Sequence, residues 1–341
     1  MTQIEATHKP VIAIGTIGGT ISMTAAKPGE GVKSTLGAEQ LVNSIPGLDR
    51  LDVELRLHSI ANMASGSIRF GDLFNLLDWA NQQVEQGAGG VLIVQGTDTL
   101  EETAFFLDLY WTHQAPLVLT GAMRSPGQAG AEGSANILAA VQVAMSSAAQ
   151  GYGALVLMND EIHQACYVRK VHTTALNAFA SPIVGPVGAV REGLARFFRL
   201  APVRKVLVQP EQISQTTLLI ETTLDENPIL YSHLVQLGYA GLVIAGLGSG
   251  HVSIPVTEEL SNVVKQIPVL MASRTGAGST TKGVYAYPGS EIDLQQRGVI
   301  MVGSLCPRKT RLLLNAYLWQ GLTRAELERN LVEHLALFDA I

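Results

Sequence analysis

The chain has 341 residues, of which 47% are hydrophobic and 15% charged, and it contains 34 glycines and 14 prolines. These proportions are typical of a globular protein and exclude a disordered one. The formal net charge is -6, and no Lys- or Arg-rich run is present that could follow a nucleic-acid backbone. We therefore expect no nucleic-acid partner.

Cysteines and apolar runs indicate the compartment. Cys166 and Cys306 are the only cysteines, too few for a disulfide framework in a chain of this length. The polar N-terminal stretch MTQIEATHKP lacks the basic and apolar regions of a signal peptide. No apolar run approaches the roughly 20 residues that span a bilayer. We therefore expect a cytoplasmic protein with free thiols and no membrane partner.

Short apolar runs alternate with segments of helical periodicity along the chain. The predicted strands are VIAIG (11–15), VLIVQG (91–96), PLVLTG (116–121), ALVLMND (154–160), GLVIAG (241–246), PVLMAS (268–273) and GVIMVG (298–303). The predicted helices are 71–87, 100–113, 134–150, 256–267, 306–321 and 323–335. Such an alternation predicts an α/β fold in which helices cover both faces of a mostly parallel sheet, in three layers.

The length favours two domains, because a single hydrophobic core stops growing at about 250 to 300 residues. The alternation breaks between about 187 and 215, where Arg and Pro are more frequent. We predict a larger N-terminal catalytic α/β domain at 1–200, a linker at 201–215 and a smaller C-terminal α/β domain at 216–341. Ligands of such folds bind beyond the carboxyl ends of the strands, so the functional residues are expected in the loops there.

The loop after the first strand, GTIGGTIS (15–22), contains Gly18, Gly19 and Thr20. Paired glycines permit positive φ and let a ligand approach the backbone, so Thr20 could be a nucleophile beside anion-binding N–H groups. From this stretch alone, a phosphate-binding turn or a plain tight turn is an equally open alternative. The stretch lacks the ending of a P-loop and the spacing of a dinucleotide fingerprint.

A second loop, QGTDTLEE (95–102), leaves a buried strand and enters a helix. Thr99 and Glu102 fit a capping box, and acidic residues in a first helical turn complement the helix dipole. Thr97 and Asp98 lie one step earlier, at the carboxyl end of the strand, where functional groups are expected. We therefore select Thr97 and Asp98 as a second candidate pair.

Two further segments carry candidate groups. In YVRKVHTTALNAF (167–179), Lys170 could take a proton from a threonine hydroxyl as a neutral amine, although most lysines are solvated surface charges. The segment SRTGAGSTTKGVYAYPGSE (273–291) is rich in Gly and hydroxyl groups, and a long surface loop is its alternative interpretation. The histidines show no close spacing such as i and i+4, so we expect no metal site.

Several of these motifs together resemble bacterial L-asparaginases of the threonine-nucleophile amidohydrolase family. They are GGTI, QGTDTLEETAFFLDL, LTGAMR, LVLMND, SRTGAGSTTKG and CPRKTRLLL, in this order along the chain. GGTI followed by GTDT is more specific than either motif alone. The resemblance implies a larger N-terminal and a smaller C-terminal α/β domain, and assembly as a homodimer or homotetramer.

The same resemblance implies roles for the candidate residues. Thr20 would attack the side-chain amide of L-asparagine, release ammonia and leave an acyl-enzyme for water to hydrolyse. Asp98 would bind the α-amino group of the substrate, while Thr97 and Lys170 help to activate a hydroxyl or water. This chemistry requires no cofactor and no metal.

Other matches concern substrate binding. Glycine turns at Gly19 and Gly96 can supply N–H donors for the substrate and its oxyanion. Ser65 matches a serine that binds the α-carboxylate, but Gly66 and Ser67 stand where the family commonly has glutamine and aspartate.

The chain departs from the family in two regions. The segment 22–37 contains no tyrosine, whereas the family commonly has one there that activates the threonine. Tyr285 falls near a family glutamate that reaches the adjacent subunit, so Tyr285 or Tyr287 could supply the missing phenol; packing in a Tyr-Pro turn is the alternative. Ser249 and His251 stand where many relatives present asparagines to the partner's substrate, although a loop histidine without such a role is also plausible.

Related chemistries stay open at this point. The chain could be a glutaminase-asparaginase, or a hydrolase of D-asparagine or N-substituted amides. The amidase part of a tRNA-dependent amidotransferase is disfavoured, because the chain is acidic and no tRNA-binding domain is evident. A non-catalytic amino-acid sensor is the alternative from another class, and the presence of Thr20, Thr97, Asp98 and Lys170 together favours catalysis.

Overall fold

The computed structural model describes residues 9–19, 21, 23–25, 32–34, 38–43 and 45–339. The chain forms two compact units. The first contains the chain up to Ser181 together with Gly185–Pro202, and the second contains Pro182–Val184 and the chain from Val203 onward. Residues 201–215 contain no helix or strand, although all of them are described. Their role as a linker stays a prediction.

The first unit combines helices with one large sheet and two small hairpins. Its strands are β1 (Val11–Thr16), β2 (Met23–Ala25), β3 (Val32–Ser34), β4 (Glu54–Ser59), β5 (Gly90–Val94), β6 (Leu117–Thr120), β7 (Ala154–Met158), β8 (Glu161–Gln164), β9 (Arg169–Lys170), β10 (Phe179–Ala180), β11 (Gly188–Arg191) and β12 (Leu194–Phe197). Its helices are α1 (Ala38–Asn43), α2 (Phe70–Glu85), α3 (Leu100–Tyr110) and α4 (Gly133–Ala144).

The large sheet is parallel through its centre. Among the described residues it contains eight strands, in the order β12-β11-β8-β7-β6-β5-β1-β4. Strands β4, β1, β5, β6 and β7 pair in parallel, and β8, β11 and β12 add antiparallel pairs at one edge. This arrangement confirms the predicted mostly parallel sheet.

Strand β5 shows why the continuous apolar runs form the centre of the sheet. Its Leu92 and Val94 belong to a core cluster that includes residues of α4. Val91 and Ile93 are equally inaccessible to solvent, and alternation along a strand directs them to the opposite face. Helices α2 and α3 pack against each other and against strands of this sheet. The sheet is therefore buried on both faces, which requires apolar residues at every position.

The second unit is a smaller α/β unit. Its strands are β13 (Thr217–Glu221), β14 (Gly241–Gly246), β15 (Val269–Ser273) and β16 (Ile300–Met301), which pair in parallel in this order. Its helices are α5 (Ile229–His233), α6 (Ile254–Val263), α7 (Glu291–Arg297), α8 (Pro307–Leu318) and α9 (Arg324–Asp339). Helix α8 packs on β13, β14 and β15. None of the helices in the described ranges is long and apolar enough to cross a membrane.

The predicted strand 298–303 is shorter than expected. Only Ile300 and Met301 are extended and paired. Gly298 has a φ of 104° as the C-cap of α7, and Gly303 has a φ of 71°. Both glycines adopt left-handed backbone, which a β-strand cannot include, and they limit β16 from either side.

A capping box of Thr323 and Glu326 begins α9. The backbone N–H of Thr323 donates to Glu326 Oε2 at 3.0 Å, and the backbone N–H of Glu326 lies 3.4 Å from Thr323 Oγ1. These two contacts satisfy N–H groups that the helix itself leaves without acceptors.

Replacing Thr323 with Ala should lower the free energy of unfolding by about 1 kcal/mol, because α9 loses its N-cap side chain. Equilibrium denaturation of the purified protein measures the change. Thr223→Ala, at an exposed position outside any helix, is the matched control and should change stability by less than about 0.5 kcal/mol. Equal effects of the two substitutions would contradict a capping role for Thr323.

Candidate active site

The order of strands at the centre of the large sheet creates a crevice. Strand β1 lies between β4 and β5, so the chain passes from β1 to one neighbour and then crosses to the other. Connections on the two sides of such a strand lead away from each other, which leaves an opening beyond the carboxyl ends. The turns after β1 and β5 therefore flank the expected binding position in this unit.

Three loops meet at this opening without room for additional side-chain atoms. Gly18 and Gly19 have φ values of 102° and 103°, which confirms the predicted glycine conformation. A Cβ on Gly19 would overlap the backbone of Gly96, and a Cβ on Gly96 would lie 2.8 Å from Ser65 Oγ. The loops after β1 and β5 are thus in contact through their backbones, and the Ser65 side chain from the loop after β4 packs against Gly96. Thr20 directly follows this contact in sequence and lies outside the described residues.

Thr99 has a different role from the one predicted. It is the N-cap residue of α3, but its side chain makes no capping hydrogen bond, so the predicted capping box with Glu102 is wrong. Instead, Thr99 Oγ1 donates to the carbonyl oxygen of Ser65 at 3.0 Å. The hydroxyl is used to tie the loop after β5 to the loop after β4, a long-range contact that local spacing does not reveal.

Lys170 joins Thr97 and Asp98. Its Nζ lies 2.9 Å from Thr97 Oγ1 and 2.7 Å from Asp98 Oδ1. Thr97 is 6% exposed, whereas the side chains of Lys170 and Asp98 are 18% and 76% exposed. The lysine therefore lies between a buried hydroxyl and an open carboxylate, and the structure brings these three predicted residues together.

Glu101, a buried acid in the first turn of α3, holds the backbone of Lys170 in place. Glu101 Oε2 accepts a hydrogen bond from the backbone N–H of Lys170 at 2.6 Å, and the Glu101 side chain is buried. Lys170 is on the short strand β9, which pairs with Phe179 of β10. The sequence indicates only an acid in a first helical turn, where a dipole interaction is sufficient explanation. The burial of the Glu101 side chain shows that it also has a tertiary partner, the backbone of Lys170.

These contacts define what the group can do chemically. A lysine ammonium has three donors and no acceptor, and two of its donors are directed at Thr97 and Asp98. The Thr97 oxygen accepts from Lys170, so its own hydrogen is free to be donated to another group. Asp98 presents the open side of a carboxylate, which suits a cationic ligand. The site thus combines an anionic contact with a directed hydroxyl.

The remaining predicted residues lie in the second unit. Ser249 and His251 are in the loop after β14, where His251 Nε2 is 3.3 Å from Ser249 Oγ. Tyr285 places its ring edge-on to the His251 ring, with the centroids 5.3 Å apart. The structure brings these three together with Tyr287, the other tyrosine considered from the sequence, and with Glu291, which the sequence did not single out. No group of three or more His, Cys, Asp or Glu suited to a metal occurs in the described part of the chain.

Gly19→Ala should destabilise the first unit by about 2 kcal/mol, because its Cβ has no space against Gly96 and its φ is left-handed. The thermal unfolding midpoint measures the loss. Gly71→Ala is the matched control, since a Cβ there meets no atom within 4 Å and the residue lies in α2. An unchanged midpoint for Gly19→Ala would show that the two loops are not in contact.

Comparison with known proteins identifies the family. The family model "Asparaginase, N-terminal" matches residues 11–202, and "Glutaminase/Asparaginase C-terminal domain" matches residues 218–331. The two matches together include every predicted site residue. The gap between the two matches lies at the segment 201–215, which contains no helix or strand.

Individual relatives agree over nearly the whole chain. A probable L-asparaginase of Deinococcus radiodurans is 34% identical over 332 residues, covering 94% of this chain and 96% of that protein. A probable periplasmic L-asparaginase of Haemophilus influenzae is 30% identical, covering 93% and 90%. The crystal structure of a probable cytoplasmic L-asparaginase from Campylobacter jejuni matches with a TM-score of 0.84 at 26% identity, over 95% of this chain and 99% of that chain. This chain therefore belongs to the asparaginase family of hydrolases, which act on carbon–nitrogen bonds of linear amides.

Proposed function

We propose that this enzyme hydrolyses the side-chain amide of L-asparagine to L-aspartate and ammonia, with Thr20 as the nucleophile. The observation that carries the proposal is the contact of Lys170 Nζ with both Thr97 Oγ1 and Asp98 Oδ1, at the opening where the Gly19 turn begins. Family membership and the names of the relatives support the choice of substrate.

Substrate binding uses the charges of an α-amino acid. Asp98 offers its exposed carboxylate to the α-ammonium group, and the Ser65 hydroxyl binds the α-carboxylate. Gly96 packs against Ser65 and Gly19 without a side chain of its own, which lets the loop carrying Thr97 and Asp98 approach the loop carrying Ser65. A fixed ammonium and a fixed carboxylate orient the amide towards the turn that carries Thr20.

The reaction proceeds in two steps. Thr20 Oγ attacks the amide carbon, the carbonyl oxygen becomes an oxyanion bound by N–H groups of the glycine turns, and ammonia leaves. Water, oriented by the Thr97–Lys170 pair, then attacks the resulting ester, and the proton that the water loses passes to Thr20 Oγ as the ester bond breaks. The product L-aspartate leaves after the ester bond breaks and Thr20 recovers its hydroxyl hydrogen.

Assembly and location belong to the same proposal. We infer a homodimer or homotetramer in which the second unit of one copy contributes Ser249, His251 and Tyr285 to the active site of its partner. A cytoplasmic location stays a prediction, since relatives are named for both the cytoplasm and the periplasm.

A glutaminase-asparaginase is the second candidate. It is favoured by the C-terminal family model, which is named for both activities. The two substrates differ by one methylene, a difference worth about 1 to 3 kcal/mol in a binding site. The ratio of kcat/KM for L-asparagine to kcat/KM for L-glutamine therefore distinguishes an asparaginase from a glutaminase-asparaginase.

Ammonia release from L-asparagine, L-glutamine, D-asparagine and a β-N-alkyl amide tests the proposal. We expect kcat/KM to be highest for L-asparagine, and Thr20→Ala to lower it by about 10³-fold or more, as for loss of a nucleophile. A Thr20-linked acyl group, trapped by rapid acid quenching, should be detectable by peptide mass spectrometry.

Thr112→Ala, at an exposed position after α3, is the matched control and should retain wild-type rates. Full activity of Thr20→Ala would contradict the assignment of the nucleophile. A ligand-induced rise in the melting temperature without ammonia release from any amide would instead indicate an amino-acid sensor.

A further inference from the structure

Five polar and aromatic side chains form a cluster beyond the carboxyl end of β14. We call it the His251 cluster, and its members are Ser249, His251, Tyr285, Tyr287 and Glu291. The loop after β14 and the segment before α7 are joined by a backbone hydrogen bond from Val252 N–H to the carbonyl of Gly289, at 3.0 Å. Gly289 has a φ of 87°, and a Cβ there would overlap the Val252 carbonyl. The two segments are therefore held in a fixed relation.

Glu291 carries the negative charge of the cluster. Its side chain is fully buried, and Oε1 accepts the backbone N–H groups of Val284 and Tyr285, both at 2.7 Å. Burial raises the pKa of Glu291. Hydrogen bonds from Tyr285, Val284, its own backbone and His251 outweigh this effect and hold the pKa at about 2, below its ordinary value. The carboxylate is thus ionised at neutral pH and acts only as an acceptor.

This charge determines which nitrogen of His251 carries hydrogen. Glu291 Oε2 lies 3.0 Å from His251 Nε2, and an ionised carboxylate can only accept, so Nε2 is protonated. In the neutral ring, Nδ1 then has a free lone pair. It faces the Tyr287 hydroxyl at 2.8 Å and accepts its hydrogen. Glu291, His251 and Tyr287 are therefore linked in series, with a base behind the phenol.

Tyr287 and Tyr285 contact His251 in different ways. The Nδ1 of His251 pairs with the hydroxyl of Tyr287, whereas Tyr285 contacts the imidazole with its ring. Tyr287 is 49% exposed. Its oxygen donates inward to His251 and keeps lone pairs that can accept a hydrogen from outside. The phenol can therefore take one proton while passing its own to a base.

We propose that Tyr287, linked to His251 and Glu291, is the group that takes up and returns the proton of Thr20 in the active site of a second copy of the chain. The inference rests on the proposed function and on the proposed assembly. It accounts for the lack of a tyrosine in residues 22–37, and of the two tyrosines that the sequence leaves open, Tyr285 and Tyr287, it assigns the phenol to Tyr287. His251 and Glu291 are positioning residues, because they act through Tyr287.

The proton path balances at each step. As Thr20 Oγ bonds to the amide carbon, its hydrogen moves to Tyr287 Oη, and the Tyr287 hydrogen moves to His251 Nδ1. The carbonyl π electrons move to the oxygen, and the new imidazolium is paired with the Glu291 carboxylate. When the carbon–nitrogen bond breaks, the proton returns by the same path to the leaving nitrogen, which departs as ammonia. The threonine ester is left behind.

Tyr287→Phe in the full-length protein tests the proposal. We expect kcat for L-asparagine to fall by about 10²-fold or more, with KM changed much less, because a proton-transfer group is lost while the binding groups stay. His251→Gln should behave similarly, since an amide cannot carry the proton. Tyr239→Phe, which removes a phenol near the opposite end of β14, is the matched control and should keep wild-type kinetics.

A substrate with a weakly basic leaving amine distinguishes proton transfer from a structural effect. On L-aspartic acid β-(4-nitroanilide), the loss caused by Tyr287→Phe should be at least about tenfold smaller, because the weakly basic leaving nitrogen needs less protonation and only the transfer from Thr20 is then lost, whereas both transfers are lost on L-asparagine. A structural role would lower both rates equally. That equality, or a kcat of Tyr287→Phe within about twofold of wild type, would overturn the proposal.

Mixed assemblies test the second copy. Thr20→Ala and Tyr287→Phe chains should each be nearly inactive alone. After random mixing into dimers, about a quarter of the sites should combine an intact Thr20 with a partner's intact Tyr287 and recover activity. No recovery in verified mixed dimers would overturn the assignment to a second copy. Failure of wild-type protein to release ammonia from any amide would instead refute the proposed function, so the two failures are distinct.

Discussion

The contact between the backbones of Gly19 and Gly96 is the constraint on which the candidate site depends. Parallel pairing of β1 with β5 aligns the ends of these strands, and Ile17 N–H continues the ladder by donating to the Val94 carbonyl at 3.0 Å. The following residues approach so closely that neither glycine can carry a side chain. The turn leading to Thr20 and the loop carrying Thr97 are thus set by sheet geometry, which is the most rigid part of an α/β fold.

Lys170 reaches this site from a more distant part of the chain, and its placement depends on polar contacts. A strand of two residues offers little pairing of its own, so the buried Glu101 carboxylate supplies the missing anchor for the lysine backbone. The same logic recurs in the second unit, where buried Glu291 organises the backbone around Tyr285. In each unit, a carboxylate without solvent access fixes a segment that has little regular structure.

The sequence was sufficient for the architecture because apolar continuity records burial on both faces of a strand. It was also sufficient to select Thr97, Asp98 and Lys170, which the structure places in contact. It did not reveal what Thr99, Glu101 and Glu291 bind. An acid or a hydroxyl at the start of a helix has a local explanation in capping or the dipole, and only the tertiary partners show that this explanation is incomplete. Gly298 and Gly303 shortened a strand whose apolar pattern predicts a longer one.

The exposure of Asp98 has a consequence for how the site responds to its medium. Most of this carboxylate faces water, so its attraction for a cationic ligand acts through a high dielectric and is weakened by dissolved ions within a Debye length of about 8 Å at physiological ionic strength. The hydrogen bond between Lys170 and the buried Thr97 is shielded from those ions. Capture of the ligand is therefore the salt-sensitive part of the site, while the geometry that follows capture is insulated from the surrounding electrolyte.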